Sequence, residues 1–180
     1  MFRLLRADEI ECRVNQINEN GLSLLLYKDA RCDMNILDET LGSTRWQRDH
    51  KELKGNIYCG VSIYNDELKQ WITKWDAGSE SNTEAVKGEA SDSFKRACVN
   101  LGIGRELYTA PFIWIDKDHA TIYKNDNKKY ATKDRFRVET IHYNENREID
   151  GLSIKNHKNE RVYLKMPPKK EIKNEDNKQT

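Results

Sequence analysis

NIYCGVSIYNDELKQWITKWD, residues 56–76, alternates twice. In 56–64, Ile57, Cys59, Val61 and Ile63 fall on one side, and Tyr58, Ser62 and Tyr64 on the other. A period of two is the mark of a β-strand. The polar stretch NDELK, 65–69, reads as a turn, and QWITKWD, 70–76, alternates again with Trp71, Thr73 and Trp75 together. Upstream, RWQRDHK, 45–51, supplies a first strand, with Lys54-Gly55-Asn56 as its turn. The three form an antiparallel meander. An aliphatic face opposite an aromatic one means that both faces are used. One packs on a helix, and the other meets a neighbouring subunit or a ligand.

The helix follows after the loop AGSESN, 77–82. The pattern predicts one long helix over about 83–101. Thr83 is its expected N-cap, and Glu84 sits in the first turn, where the helix dipole favours it. Ala90, Phe94, Ala97, Cys98 and Leu101 make the apolar stripe, Asp92 and Arg96 an i,i+4 pair, and Gly102 and Gly104 the stop. A shorter helix is expected in DMNILDETLG, 33–42, with Met34, Leu37 and Leu41 at helical spacing and Gly42 as C-cap. Beyond the long helix, 106–116 is an apolar segment through Pro111. Strands are expected at 136–143, 148–156 and 160–165. The order is β-β-β-α followed by a small C-terminal β unit, an α+β fold. Residues 1–165 form one domain. Residues 166–180, opening Met166-Pro167-Pro168, are too polar to offset their ordering entropy and read as a disordered charged tail.

Composition narrows the function classes. Of 180 residues, 37% are hydrophobic and 34% charged, against roughly 25% charged in an average domain. The charge is balanced, 31 Lys and Arg against 30 Asp and Glu. The chain therefore has a lean core and no global pull on a polyanion, so such a site must come from local clustering. No apolar run reaches the ~18 residues of a membrane span, and the first residues lack a signal-peptide core. Cys12, Cys32, Cys59 and Cys98 are spread without a CxxC pair. That excludes a paired zinc motif and reads as free thiols in a reducing cytoplasm.

Catalytic motifs are sparse. GIGREL, 102–107, follows a helix instead of opening one, so the dinucleotide reading fails. His50, His119, His142 and His157 lack metal-ligand spacing. Glu67-Leu68-Lys69 with Asp49 upstream resembles half of a magnesium nuclease site, but Glu67 falls in a hairpin turn, where a solvated carboxylate is ordinary. Basic clusters are richer. Lys95 and Arg96 lie about 100° apart on the long helix and can grip a phosphate backbone from its side. Lys87, Ser91 and Lys95 share one stripe. TIYKNDNKKYATKDRFR, 121–137, carries six Lys and Arg, Lys128, Lys129 and Lys133 among them, against two acidic residues, with Tyr123, Tyr130 and Phe136 interleaved. Cations along a backbone with aromatics for stacking suit a single strand. RWQRDHKELK, 45–54, is a weaker copy. A purely structural or interaction protein with a charged surface is the rival class.

WDAGSESNTEAVKGEASDSFKRACVNLGIGRELY, 75–108, resembles the Rad52 family of single-strand annealing proteins, closest in style to its phage members. KGEASDSFKRA is similar to the family's helix signature, LGIGRELY to its closing turn, and MNILDETLGSTRW, 34–46, to its entry into the meander. The resemblance spans about residues 1–115. It implies an oligomeric ring with single-stranded DNA in a basic groove, no cofactor, no metal and no catalysis. It assigns Lys95 and Arg96 to the DNA backbone. Arg31 falls near a family basic position, one residue out of register, where Cys32 sits. Val99 departs from the family pattern at a position where some members carry arginine, and Arg105 is the candidate to replace that charge. A single-strand-binding protein is the candidate partner of the tail.

Overall fold

The computed structural model describes residues 1–79 and 85–168, with the backbone alone at 85–87. The expected cap Thr83, Glu84 and the tail from 169 lie outside the described residues. Two hairpin strands open the chain, β1 (Ile10–Asn18) and β2 (Gly21–Lys28), followed by helix α1 (Ala30–Leu41). The meander is β3 (Trp46–Leu53), β4 (Asn56–Asn65) and β5 (Gln70–Ala77), followed by helix α2 (Ala85–Asn100). A short 3-10 turn at Arg105–Thr109 leads to β6 (Ile113–Asp116), β7 (Tyr123–Lys124) and β8 (Tyr130–Ala131). Three strands close the order, β9 (Phe136–Tyr143), β10 (Ile149–Asn156) and β11 (Arg161–Lys165).

The α+β class and the meander-plus-helix unit are as the pattern predicts. β4 pairs antiparallel with β3 and β5, and the Lys54–Gly55 and Asp66–Lys69 turns are where the polar residues put them. The aliphatic face of β4 turns to α2. Cys59 and Val61 are fully buried there together with Phe94, Ala97 and Cys98. Phe94 stacks on Trp46 with ring centroids 6.2 Å apart. α2 ends in a Schellman turn: Ile103 N–H donates to Cys98 O and Gly102 N–H to Val99 O, with Gly102 at φ +95°. Ile103 is then driven into the core.

Three expectations need correction. Helix α1 begins at Ala30, not at 33, because Asp29 caps it: its carboxylate accepts the Arg31 N–H at 2.7 Å. The C-terminal strands are not a separate small unit. They join the first hairpin in one six-stranded sheet of order β11-β10-β9-β1-β2-β6. The hairpin at 10–28 carries no strand expectation, because the leucine run of β2 fits a buried strand and a helix equally. The pairing decides: Leu22, Leu24 and Leu26 face inward with Ile113, Ile115, Leu152 and Ile154, and Leu25 and Tyr27 face out. Finally, Asp92 and Arg96 do not pair with each other, as described below.

The six-stranded sheet curls until its outer strands meet, with Tyr163 Oη donating to Phe112 O at 3.4 Å. Both sheets and both helices share one apolar core. The N-terminus is tied across it: Leu5 N–H donates to the buried Glu106 carboxylate at 2.8 Å, and Tyr143 Oη donates to Leu5 O at 2.9 Å. No described helix is long and apolar enough to cross a membrane.

Candidate nucleic-acid interface

Where α2 crosses the outer end of β2, the chain leaves a groove of about 510 Å³. One wall is β2, with Leu25 and Tyr27; the other is α2, with Asp92, Lys95, Arg96 and Val99; Tyr108 closes one side. The apolar groups are unusually open: Leu25 is 44% exposed, Tyr27 37% and Tyr108 73%. Arg13, directly across from Leu25 on β1, lays its guanidinium over the Tyr27 ring at 4.8 Å. The groove therefore combines exposed aromatic faces with cations, the two parts that hold a single strand.

The two helix cations are only loosely held by protein. Lys95 Nζ lies 3.9 Å from Asp92, and Arg96 Nε 3.4 Å from Asp76 on β5. Asp92 is engaged elsewhere, accepting Ser79 N–H and Oγ–H at 3.1 Å each. The i,i+4 partner of Arg96 is thus replaced by a tertiary one. Ion pairs this long contribute little, so a phosphate can take over both cations.

Arg31 is highly exposed and donates from Nε and Nη2 to one oxygen of Asp29, Oδ2, at 3.1 and 2.7 Å, and it holds that carboxyl below the usual range. Arg31 is not among the residues that line the groove. Arg105 donates to Val99 O (2.9 Å) and Asn100 O (3.2 Å), which satisfies the open carbonyls at the end of α2. The Lys87 side chain lies outside the described residues. Lys128, Lys129 and Lys133 belong to the β7–β8 ribbon, with Lys124 over Tyr130 at 5.0 Å and Lys133 over Tyr123 at 5.8 Å. Tyr130 Oη donates to Glu19 in the β1–β2 turn, at the far end of β2 from Lys95. Along β2 the ribbon end lies about 10 Å from Leu24, where the groove begins, and about 23 Å from Lys28 beneath Lys95. The structure gathers Lys95, Arg96 and Tyr27 in the groove, sets Arg13 over the Tyr27 ring with its guanidinium ion-paired to Glu11 at 2.6 Å, and leaves the ribbon beyond the groove's end. Arg13, Leu25 and Tyr27 escaped the sequence reading. For Leu25 and Tyr27 the signal is the outward half of the alternation in LSLLLYK, which shows only once β2 is known to be a strand; Arg13, on β1, is placed by its pairing opposite Leu25.

Below the groove, Lys28 and Asp33 form a buried ion pair. Burial pushes the Asp33 carboxyl up to about 6, against the pull of Lys28. Burial likewise raises Cys59 to about 11 and Cys12 and Cys32 to about 12, and moves Cys98 higher still, so their thiolates are disfavoured. Glu67 lies in the β4–β5 turn, whereas Asp49 pairs opposite Gly60, five residues before the end of β4 and about 16 Å along the strand. Among the described residues no group of three His, Cys, Asp or Glu is placed to hold a metal ion.

A protein of Deinococcus radiodurans named single-stranded DNA-binding protein DdrA is 45% identical over 51 residues, which cover 27% of this chain and 24% of that protein. No solved structure matches. The family model described as "Rad52/22 family double-strand break repair protein" matches residues 3–129, which include the β1–β2 hairpin, the meander and all of α2. The chain belongs to the Rad52/22 family.

Proposed function

We propose that the chain binds single-stranded DNA in the β2–α2 groove and anneals complementary strands in recombination and repair, without chemistry on the DNA. The observation that carries this reading is the convergence of Lys95 and Arg96 with the exposed Tyr27 and Tyr108 in one groove. Family membership and the likeness to a protein named for single-stranded DNA binding support it. Phosphates bind Lys95, Arg96 and Arg13, and bases stack on the tyrosines, so recognition is independent of sequence. Arg31 and Lys87 are further candidate phosphate contacts, and Arg105 positions the helix end. Lys128, Lys129 and Lys133 form a separate contact that guides the strand beyond the groove. The chain works as an oligomeric ring of its own copies in a phage-type, cytoplasmic recombination system, and a single-strand-binding protein is the candidate partner of its tail.

The test is anisotropy of a labelled oligo(dT) with EDTA present, in parallel with annealing of complementary oligonucleotides. Each phosphate contact on a single strand contributes a salt slope of ~0.7. Three contacts predict an ~18-fold loss of affinity between ~50 and ~200 mM salt. Lys95→Ala with Arg96→Ala leaves one contact, predicting only an ~3-fold loss over that range and much weaker annealing. An unchanged slope in the double variant refutes the site.

A further inference from the structure

We propose that the buried Lys28–Asp33 pair is a positioning device for the DNA groove: it acts through the main chain of Lys95 and sets where α2 presents its cations. This rests on the DNA-binding reading above. Lys28 is the last residue of β2 and is 5% exposed; Asp33, in the first turn of α1, is 0% exposed. Lys28 Nζ donates to both carboxylate oxygens of Asp33, to Oδ2 at 2.5 Å. It also lies 3.4 Å from the carbonyl oxygen of Lys95, on the groove-facing side of α2. One ammonium thus joins β2, α1 and α2 directly beneath the residue that meets the phosphate.

The path of Lys28 is built for it. Gly104 follows the end of α2 at φ +70°, and a Cβ there would stand 2.2 Å from Lys28 Cε and 2.5 Å from Cδ. The lysine stem occupies the space that any other residue at 104 would fill. The alternation of β2 makes the same point. Tyr27 turns outward into the groove, and Lys28, next in sequence, turns inward below it.

Stability does not account for such a pair. Two charges removed from water recover little net energy, and well-packed apolar residues of similar size often serve as well or better. An apolar contact, however, has no direction. Hydrogen bonds from one ammonium to a fixed carboxylate and a fixed carbonyl specify both distance and angle. That is what a helix needs if Lys95 and Arg96 are to meet phosphates repeatedly in the same geometry.

The experiment replaces both charges at once, Lys28→Met with Asp33→Leu, so that neither is orphaned. The melting temperature is expected to be unchanged or higher. Oligo(dT) affinity falls and the salt slope drops by ~0.7, the loss of one phosphate contact, so that ~18-fold salt sensitivity becomes ~7-fold. Adding Lys95→Ala to this background then weakens binding less than it does in the wild type, a non-additivity that a merely structural role does not produce. Gly104→Ala, which displaces the Lys28 stem without touching a charge, is expected to give the same slope. Wild-type affinity and slope in the double variant overturn the proposal, and so does loss of cooperative melting, which makes the pair a stability element. If Lys95→Ala alone leaves wild-type binding intact, the groove assignment itself fails, a result separate from either.

Discussion

Tyr27→Leu separates stacking from charge in the groove. The side chain lies on the outward face of β2 and is 37% exposed. One ring face is covered by Arg13 at 4.8 Å, which leaves a single face for a base. Base–aromatic stacking contributes ~1–3 kcal/mol per base. With one face free, the lower part of that range applies, ~1–2 kcal/mol, an affinity loss of ~5- to 30-fold. Leucine keeps an apolar side chain in the strand. The loss to the fold is then the exposed cation–π contact, ~0.5–1 kcal/mol, so thermal unfolding should shift only slightly. No charge is removed, so the salt slope should match the wild type. Anisotropy of labelled oligo(dT) from ~50 to ~200 mM salt gives both quantities. Wild-type affinity refutes stacking. A reduced slope refutes it differently: Tyr27 would then act by holding Arg13, not by meeting a base.

Three further outcomes are expected. Glu9 is held down to about 2 from 4.5 by Arg3, with the Arg6 backbone N–H helping. A depressed carboxyl stabilises the fold above pH 4.5 and loses that contribution as pH falls from about 4.5 toward 2; Glu9→Gln should flatten the melting temperature across that window, and an unaltered acid limb speaks against it. Phe94→Ala removes a fully buried ring between Trp46 and Arg48, so urea unfolding should show a loss of ~3–5 kcal/mol; a loss below ~1.5 kcal/mol would mean the site collapses or the ring is not core. Replacing Lys128, Lys129 and Lys133 together by alanine should weaken binding of long oligonucleotides while leaving those short enough for the groove alone unaffected; equal effects on both lengths contradict two separate contacts.

What local pattern can encode, it encoded here. The meander β3–β4–β5 and helix α2 follow from periods of 2 and 3.6, and the turns from short polar stretches with Lys, Gly and Asn. The helix signature already marked Lys95 and Arg96 as candidates, because adjacent cations on a helix are visible in one dimension. The larger sheet was not visible. β1 meets β9 through Glu11 and Arg137, and β2 meets β6 through residues some ninety positions apart, pairings for which local sequence has no signal. The same limit applied to the charges. Spacing joined Asp92 to Arg96, but the folded chain offered Ser79 to one and Asp76 to the other. Lys28 reads as one more surface lysine in a highly charged chain, yet it lies beneath α2 against Asp33. The groove itself belongs to no segment. It exists because β2 and α2, whose contact at Lys28 and Lys95 joins positions 67 apart, were brought together by burial of the leucines on one side and Phe94, Ala97 and Cys98 on the other. Hydrophobic burial is non-directional. Sequence determined which faces are apolar, and only tertiary packing decided which of the remaining polar and aromatic groups face one another across a gap.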